Sequence, residues 1–213
     1  TRVWNAAVRL AKEGELWKHL GWTVGETVIG FTAGTLLGII IAIILWWSDY
    51  VSRVLDPYIV VLESIPKVAL GPIFVVWLGT NMTAVIAMAV AVSVIVTVMM
   101  MHTGFKEVDP NKVKLARTFG ATKFQVLTKV IIPASIPTMI AALKVSVGLS
   151  LVGTIVGEFL ASKAGLGYLI IYGGQVFNMS LVMASILLLA IVSIILYVFV
   201  AKLEERVVRG RDY

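Results

Sequence analysis

Residues 68–105 read VALGPIFVVWLGTNMTAVIAMAVAVSVIVTVMMMHTGF and contain no charged side chain. As one helix these 38 residues would extend roughly 57 Å, whereas the hydrocarbon core of a bilayer is about 30 Å thick. The stretch therefore predicts two membrane spans joined by a turn. Gly79, Thr80 and Asn81 supply that turn, because glycine and asparagine adopt turn conformations at low cost.

The rest of the chain has the same apolar character. Of its 213 residues, 59% are apolar and 14% charged, compared with about a quarter charged in soluble domains. We expect an all-α integral membrane protein with five spans, at residues 23–47, 58–78, 82–101, 137–160 and 180–202. A sixth span is expected before Thr1, because the sequence starts without methionine.

Composition argues against metal and nucleic-acid binding. Cysteine is absent and His19 and His102 lie far apart in the sequence, so we expect no metal or cofactor site in this chain. The formal charge is +6, but the Lys and Arg residues fall between apolar runs, which is typical of loops beside membrane helices. We therefore expect lipid, and not nucleic acid, around the protein.

The positions of Lys and Arg predict the orientation of the spans. Six lie in residues 106–132 and four from Lys202 to the C-terminus, so this loop and the basic tail, residues 206–213, should be cytoplasmic. The loop containing Lys163 then lies outside. The amphipathic segment of residues 1–22 is expected on the outer surface of the membrane.

Two spans carry packing signals. Gly30, Gly34 and Gly38 recur every four residues in the first span and predict close contact with another helix, unless they only reflect the frequency of glycine in membrane helices. Pro66 and Pro72 must kink or interrupt the second span, and broken membrane helices occur where backbone lines a cavity or is buried in protein.

The cytoplasmic loop, KEVDPNKVKLARTFGATKFQVLTKVIIPASIP (106–137), predicts two short helices. Asp109 can cap the first helix, and Gly120 can end it in a left-handed conformation. Thr122 and Gln125 have capping-box spacing at the start of the second. A capped basic hairpin predicts a docking surface for a cytoplasmic protein, with a solvated basic loop as the alternative.

Four sequence blocks also resemble one family of transport proteins. They are SIPKVALGPIFVVWLG (64–79), VDP (108–110), ARTFGA (116–121) and SKAGLGYLI (162–170). In this order they resemble the nitrate, sulfonate and taurine permeases of type I ABC importers, over roughly residues 20–205. The resemblance implies a type I permease domain at residues 23–205, in the plasma membrane of a prokaryote.

The resemblance also implies partners and a coupling surface. Such an importer has two permeases, identical or different, two cytoplasmic ATPases and an extracytoplasmic binding protein. The surface that couples to the ATPase would comprise Lys114, Leu115, Ala116, Arg117, Thr118, Phe119, Gly120 and Ala121. Lys114 stands where the family usually has glutamate, so the contact uses another charge partner or the permease pair is not identical. Because the sequence has no GxxxxGK[ST] loop, ATP and magnesium are expected on the separate ATPase.

Charged residues within the predicted spans are candidates for the translocation pathway, because a charge at mid-bilayer costs about 2.5 to 3.5 kcal/mol on insertion scales. With the helix-breaking proline they are Glu63, Pro66, Lys67, Lys144 and Glu158. Glu63 and Lys67 have the spacing of a helical ion pair, so a structural pair is the alternative. Lys144 and Glu158 share nearly one helix face, about 21 Å apart, and a snorkelling Lys144 is the alternative there.

A cationic pathway at Lys67 would suit an anion such as a sulfonate, taurine or nitrate. Related permeases also carry vitamin precursors and other aromatic compounds, so both substrate classes stay open. A secondary transporter is the alternative class of protein. It would place more polar residues at mid-membrane and would not need a capped cytoplasmic hairpin.

Overall fold

The computed structural model describes the backbone of residues 2–209 and the side chains of residues 2–202, and every regular element in that range is helical. The predicted all-α fold is confirmed. The ten α-helices are α1 (Arg2–Lys12), α2 (Glu15–Trp47), α3 (Asp49–Ser64), α4 (Gly71–Leu78), α5 (Met82–Lys106), α6 (Pro110–Thr118), α7 (Lys123–Val126), α8 (Ile132–Ala161), α9 (Leu166–Gln175) and α10 (Met179–Arg209). The predicted basic tail, residues 206–213, lies outside the residues whose side chains are described.

Four of the described helices are long and apolar enough to cross a membrane. They are α2, α5, the continuous helix Lys123–Ala161 and α10. A fifth span is present if α3 and the segment Lys67–Leu78, which meet at 86°, are taken together. The first and fourth helices begin well before the predicted positions 23 and 137, because a helix can continue through polar sequence on either side of the bilayer.

The glycine-rich face of α2 packs directly against α5, as predicted. A Cβ atom on Gly34 would lie 2.5 Å from Ser93 Oγ, and one on Gly38 would lie 2.6 Å from Thr97 Cγ2. At Gly30 an added Cβ would collide with a side chain of α5 in the same way. Small residues let the two backbones approach where lipid provides no hydrophobic force between helices.

On its other side α5 packs against α8, again through glycine. A Cβ on Gly153 would lie 2.7 Å from the Ala89 backbone, and one on Gly157 would lie 2.8 Å from the Val85 backbone. Hydroxyl groups add a polar contact, because Thr97 Oγ1 donates to Ser146 Oγ over 3.1 Å. Helix α5 is therefore the centre of the packed spans.

The predicted break in the second span occurs at Pro66. Helix α3 ends at Ser64, a short 3₁₀ turn runs from Lys67 to Leu70, and α4 follows at once. Helix α3 begins at Asp49, before the predicted start at residue 58, and Pro57 lies inside it. The helix therefore breaks at Pro66, whereas Pro57 is accommodated inside α3 and Pro72 lies in the first turn of α4.

The predicted second hairpin helix is wrong in one respect: it is not separate from the next span. Helix α7 continues through a π-helical stretch, Leu127–Ile131, directly into α8. In this stretch the Ile132 N–H donates to the Leu127 carbonyl, five residues back. Such a widened turn gives room to the ring of Pro133, which in a regular helix would clash with the carbonyl four residues before it.

Candidate docking hairpin and buried polar contacts

The docking hairpin, residues 110–126, has the caps that the sequence predicts. Asp109 Oδ1 accepts from the Asn111 N–H over 2.8 Å at the start of α6. Gly120 ends the helix with φ +80°, a left-handed conformation that favours glycine. Thr122 and Gln125 form the complete capping box of α7. Local hydrogen bonds therefore hold the hairpin in one shape.

The predicted coupling residues divide between two faces of this hairpin. Ala116 and Ala121 pack on a core cluster that includes Met101 and Phe105 of α5. The exposed members are Lys114, Leu115, Arg117, Thr118, Phe119 and Gly120. The two alanines thus fasten the hairpin to the spans, while the other residues form its outer surface.

Large apolar side chains stand on this outer surface. Leu115 is 59% exposed, Phe119 82% and Phe124 63%. Surface patches of this kind, with basic residues around them, mark sites of protein contact. The arrangement suits a partner protein better than a solvated basic loop.

Lys123 connects the hairpin to the end of the first span. Its Nζ donates to the Trp47 carbonyl over 2.6 Å and lies 5.6 Å from the centre of the Trp47 ring. Trp47 is the last residue of α2, so the ammonium group caps a helix C-terminus, where a cation is favourable. Motion of the hairpin would therefore act directly on α2.

Beside the hairpin lies a cavity of about 350 Å³ with basic walls. Four cationic side chains line it, from Lys106, Lys114, Arg117 and Lys123, together with the carboxylate of Asp49. Both Lys114 and Arg117 belong to the predicted coupling residues. This face of α6 is therefore electropositive.

Glu63 and Lys67 form the predicted ion pair across the broken span. Lys67 Nζ lies 2.7 Å from Glu63 Oε2 and also donates to the Glu63 carbonyl over 2.6 Å. The lysine thus satisfies one of the last carbonyls of α3, which has no intrahelical donor because the helix ends at Ser64. This contact supports the structural alternative for the pair, and its role in a pathway stays a prediction.

Lys144 and Glu158, the other two pathway candidates, lie on α8. Lys144 is half-buried and Glu158 is 1% exposed. Glu158 Oε1 accepts from Thr23 Oγ1 over 2.6 Å, and Glu158 Oε2 accepts from the Gly167 N–H. Glu158 is thus enclosed by the helices of this chain, which the spacing on α8 alone did not indicate.

Thr23 and His19 complete a set of contacts that we name the α9 anchor: the side chains of His19, Thr23 and Glu158 bound to the backbone of residues 165–167. Thr23 Oγ1 accepts from the Leu166 N–H over 2.8 Å, and His19 Nδ1 accepts from the Gly165 N–H over 2.9 Å. The anchor joins α2 and α8 to the start of α9. It fixes the turn between α8 and α9.

A serine, a histidine and an aspartate also meet between α3 and α5. Ser52 Oγ lies 3.0 Å from His102 Nε2, and Asp56 Oδ1 lies 3.7 Å from the same nitrogen. A hydrolytic triad needs the carboxylate on the other ring nitrogen, where it orients the imidazole as a base. Lys106 also donates to Ser52 and Asp56, so these residues link helices and do not form a nucleophile.

The side chains that could bind a metal ion do not form a cluster in the described part of the chain. Over residues 2–202, no three His, Cys, Asp or Glu side chains converge to hold a metal ion. The features that the structure does bring together are bundled spans, a broken helix and a capped hairpin. They define a multi-pass membrane protein whose longest loop between spans is a structured hairpin.

The chain belongs to the family described as binding-protein-dependent transport system inner membrane component, whose model matches residues 34–209. It is 33% identical over 182 residues to a probable ABC transporter permease protein of Haemophilus influenzae, covering 85% of this chain and 74% of that protein. The formylaminopyrimidine transport permease ThiX of Halalkalibacterium halodurans is 30% identical, over 91% of this chain and 77% of ThiX. A putative aliphatic sulfonates permease, SsuC of Bacillus subtilis, is 29% identical, over 95% and 74%.

The fold is also that of solved importer structures. A chain of the inward-facing MetNI methionine ABC transporter superposes with a TM-score of 0.75 at 20% identity, over 89% of this chain and 92% of the other. The predicted resemblance to type I ABC-importer permeases is confirmed. The chain is a multi-pass permease of an ABC importer for small solutes, and members of this family are transport components.

Proposed function

We propose that the docking hairpin is the surface through which an ATPase subunit drives this permease. The observation that carries the proposal is a rigid, capped hairpin with Leu115, Phe119 and Phe124 exposed on one side. On its other side it is bonded to the spans through Lys123 and the core cluster. A surface that both binds a partner and is fastened to two spans can transmit force.

The ATPase contact uses the exposed members of the coupling set. Phe119 and Leu115 fill apolar pockets of the partner, while Lys114 and Arg117 face acidic groups on it. In this arrangement Lys114 pairs with a carboxylate of the ATPase, where most relatives have the reverse charge. ATP and magnesium bind the ATPase, and this chain binds neither.

The complete importer contains two permeases, two ATPases and an extracytoplasmic binding protein, in the plasma membrane of a prokaryote. Closure of the ATPase pair draws the two hairpins together and moves the permease pair from its inward-facing to its outward-facing state. Return after hydrolysis releases the solute inward, as a rigid-body rocking about a site near mid-membrane. The hairpin and the C-terminus lie in the cytoplasm, and Lys163 lies outside.

The solute is a small organic or inorganic anion, such as a sulfonate, taurine or nitrate. Lys67 supplies the cation that such a solute would meet at the broken span, with Glu63 as its partner between transport cycles. Pro66 and Lys144 complete the proposed pathway set, whereas Glu158, which is buried among the helices of this chain, is proposed to hold the α9 anchor and not to meet the solute. SsuC, named for aliphatic sulfonates, supports the anion, whereas ThiX, named for formylaminopyrimidine, supports a vitamin precursor as the second candidate.

The first test is purification of the tagged chain from its native membrane, with its partners identified by mass spectrometry. Co-purification of an ATPase with a phosphate-binding loop, and loss of that ATPase in Phe119→Asp but not in Phe177→Asp, are the expected results. Phe177 is a matched control because it is also highly exposed but lies far from the hairpin in sequence. A chain that purifies alone would contradict the proposal.

Solute class and orientation need separate measurements. The co-purified binding protein is titrated with taurine, alkyl sulfonates, nitrate and formylaminopyrimidine. Saturable binding of formylaminopyrimidine alone would overturn the proposal that the solute is an anion. Because the chain has no cysteine, Lys112→Cys and Lys163→Cys each give a single labelling site. Labelling of position 112 from outside the cell would refute the orientation.

A further inference from the structure

Glu26 is a carboxyl group buried within the helices of this chain and left without a hydrogen-bond donor. The side chain is fully buried, and no hydroxyl, amide or cationic group among the described residues donates to its Oε1 or Oε2. Buried carboxyl groups are normally paired or hydrogen-bonded, because an unpaired charge in the interior is costly. An acid in this position needs an explanation.

The neighbour of Glu26 is Glu158 of the α9 anchor. Glu26 lies one helical turn beyond Thr23, which bonds to Glu158, and the two carboxyl groups are within interaction range of each other. The Thr23–Glu158 and Thr35–Ser146 contacts show that α2 and α8 run antiparallel. This register puts Thr154 at the level of Glu26, and the buried Thr154 Oγ1 likewise has no partner within the part of the chain that the structure describes.

Glu158 is surrounded by groups that favour its ionised form. The Thr23 hydroxyl and the Gly167 N–H both donate to its oxygens. Gly167 is the second residue of α9, so the carboxylate also lies at a helix N-terminus, where negative charge is favourable. The single negative charge of the pair therefore belongs on Glu158.

Among the described residues, no cation faces this pair. His19 accepts the Gly165 N–H at Nδ1, so this nitrogen carries no proton, and the ring is neutral. Its Nε2 faces Glu15, which also pairs with Lys18, and its ring stacks on Tyr168. The cationic side chains of the segments around the α9 anchor are exposed: Arg2, Arg9, Lys12, Lys18 and Lys163, with Glu13 paired to Arg9. Lys144, the half-buried cation of α8, lies about 21 Å along that helix from Glu158.

We propose that Glu26 and Glu158 form a buried proton-binding site, in which the protonated carboxyl group of Glu26 donates a hydrogen bond to the Glu158 carboxylate. Two ionised carboxylates would repel each other without a compensating charge, whereas one proton supplies the missing donor and removes one charge. The site joins α2, α8 and α9 around a single hydrogen ion. Loss of that proton at alkaline pH would push the two acids apart and release the turn that the α9 anchor holds.

The two glutamates should therefore respond in opposite ways to the same substitution. Glu26→Gln keeps a donor toward Glu158 and removes the ionisable group, so the assembled, purified transporter should unfold at about the wild-type temperature. Glu158→Gln turns an amide donor toward the Thr23 hydroxyl or the Gly167 N–H. An unsatisfied buried donor should raise the population of the locally opened α9 anchor by about tenfold or more. The exchange of backbone hydrogens in residues 165–169 should accelerate by that factor.

Infrared spectroscopy gives a direct readout that needs no ATP or solute. The wild-type complex in lipid should show a protonated-carboxyl band at neutral pH, and this band should disappear in Glu26→Gln. A spin label at Lys163→Cys, an exposed position beside the anchor, should gain mobility at alkaline pH in the wild-type background. In the Glu26→Gln background the mobility of the label should not depend on pH.

Three outcomes would overturn the proton site. One is an unchanged infrared spectrum in Glu26→Gln, and another is equal damage from the two glutamine variants, which would indicate a bridging water or cation. The third is identical pH dependence of the label in both backgrounds. None of these readouts measures transport or ATPase binding, so failure here leaves the proposed function untouched, and the reverse also holds.

Discussion

Replacement of Gly120 by valine should uncouple ATP hydrolysis from transport. A Cβ atom at this position meets nothing within 4 Å, so the cost arises from the backbone alone, at φ +80°. A non-glycine residue in this left-handed conformation costs about 1 to 2 kcal/mol, and a β-branched one more. That energy is a factor of roughly 5 to 30 in the population of the native hairpin turn.

The matched control is Gly148→Val. Gly148 also has open space around it, but it lies within α8 without a positive φ. In proteoliposomes with the ATPase and binding protein, Gly120→Val should transport severalfold less solute per ATP hydrolysed, while the complex still assembles. The control should keep the wild-type ratio. A normal ratio in Gly120→Val would refute the reasoning that this cap shapes a coupling surface.

Other predictions test the connections of the hairpin and of the spans. Lys123→Met removes a charged hydrogen bond to the Trp47 carbonyl, worth about 1.5 to 3 kcal/mol, so stimulation of the ATPase by loaded binding protein should fall; unchanged stimulation would show that this contact transmits nothing. Gly34→Leu overpacks the α2–α5 contact by about 1 to 3 kcal/mol and should lower the unfolding temperature in detergent, whereas Gly148→Leu should not; equal temperatures would contradict the packing argument. Lys114→Glu should change the dissociation constant of the ATPase, compared with Lys112→Glu as a control on the same helix, and two equal constants would remove Lys114 from the interface.

Features governed by neighbouring residues could be predicted from the sequence. The caps at Asp109 and Thr122, the left-handed Gly120 and the turn before Met82 each depend on a few consecutive residues. The ion pair of Glu63 and Lys67 depends on i,i+4 spacing in the same way. Local rules of hydrogen bonding and backbone sterics were sufficient for all of them.

The contacts of Glu158 were not predictable in this way. Its partner Thr23 is 135 residues away, and its second donor is a backbone N–H that no side-chain pattern reveals. Its charge alone suggested a pathway, although the fold surrounds it with donors. Glu26, the last acid before the uncharged part of α2, was the available signal, because a lone carboxyl beside an apolar run needs a partner elsewhere.

Helix α2 connects the docking hairpin to the α9 anchor. Its 33 residues extend about 50 Å, enough to reach beyond a bilayer at one end or both. Lys123 of the docking hairpin caps its last residue, and near its start His19 and Thr23 hold the turn before α9. Between these contacts the glycine face of α2 packs closely against α5, so we expect α2 to move as one body and not to bend. A displacement imposed on the hairpin must therefore either move the α9 anchor or break it, which makes the strength of that anchor a determinant of how far the motion travels.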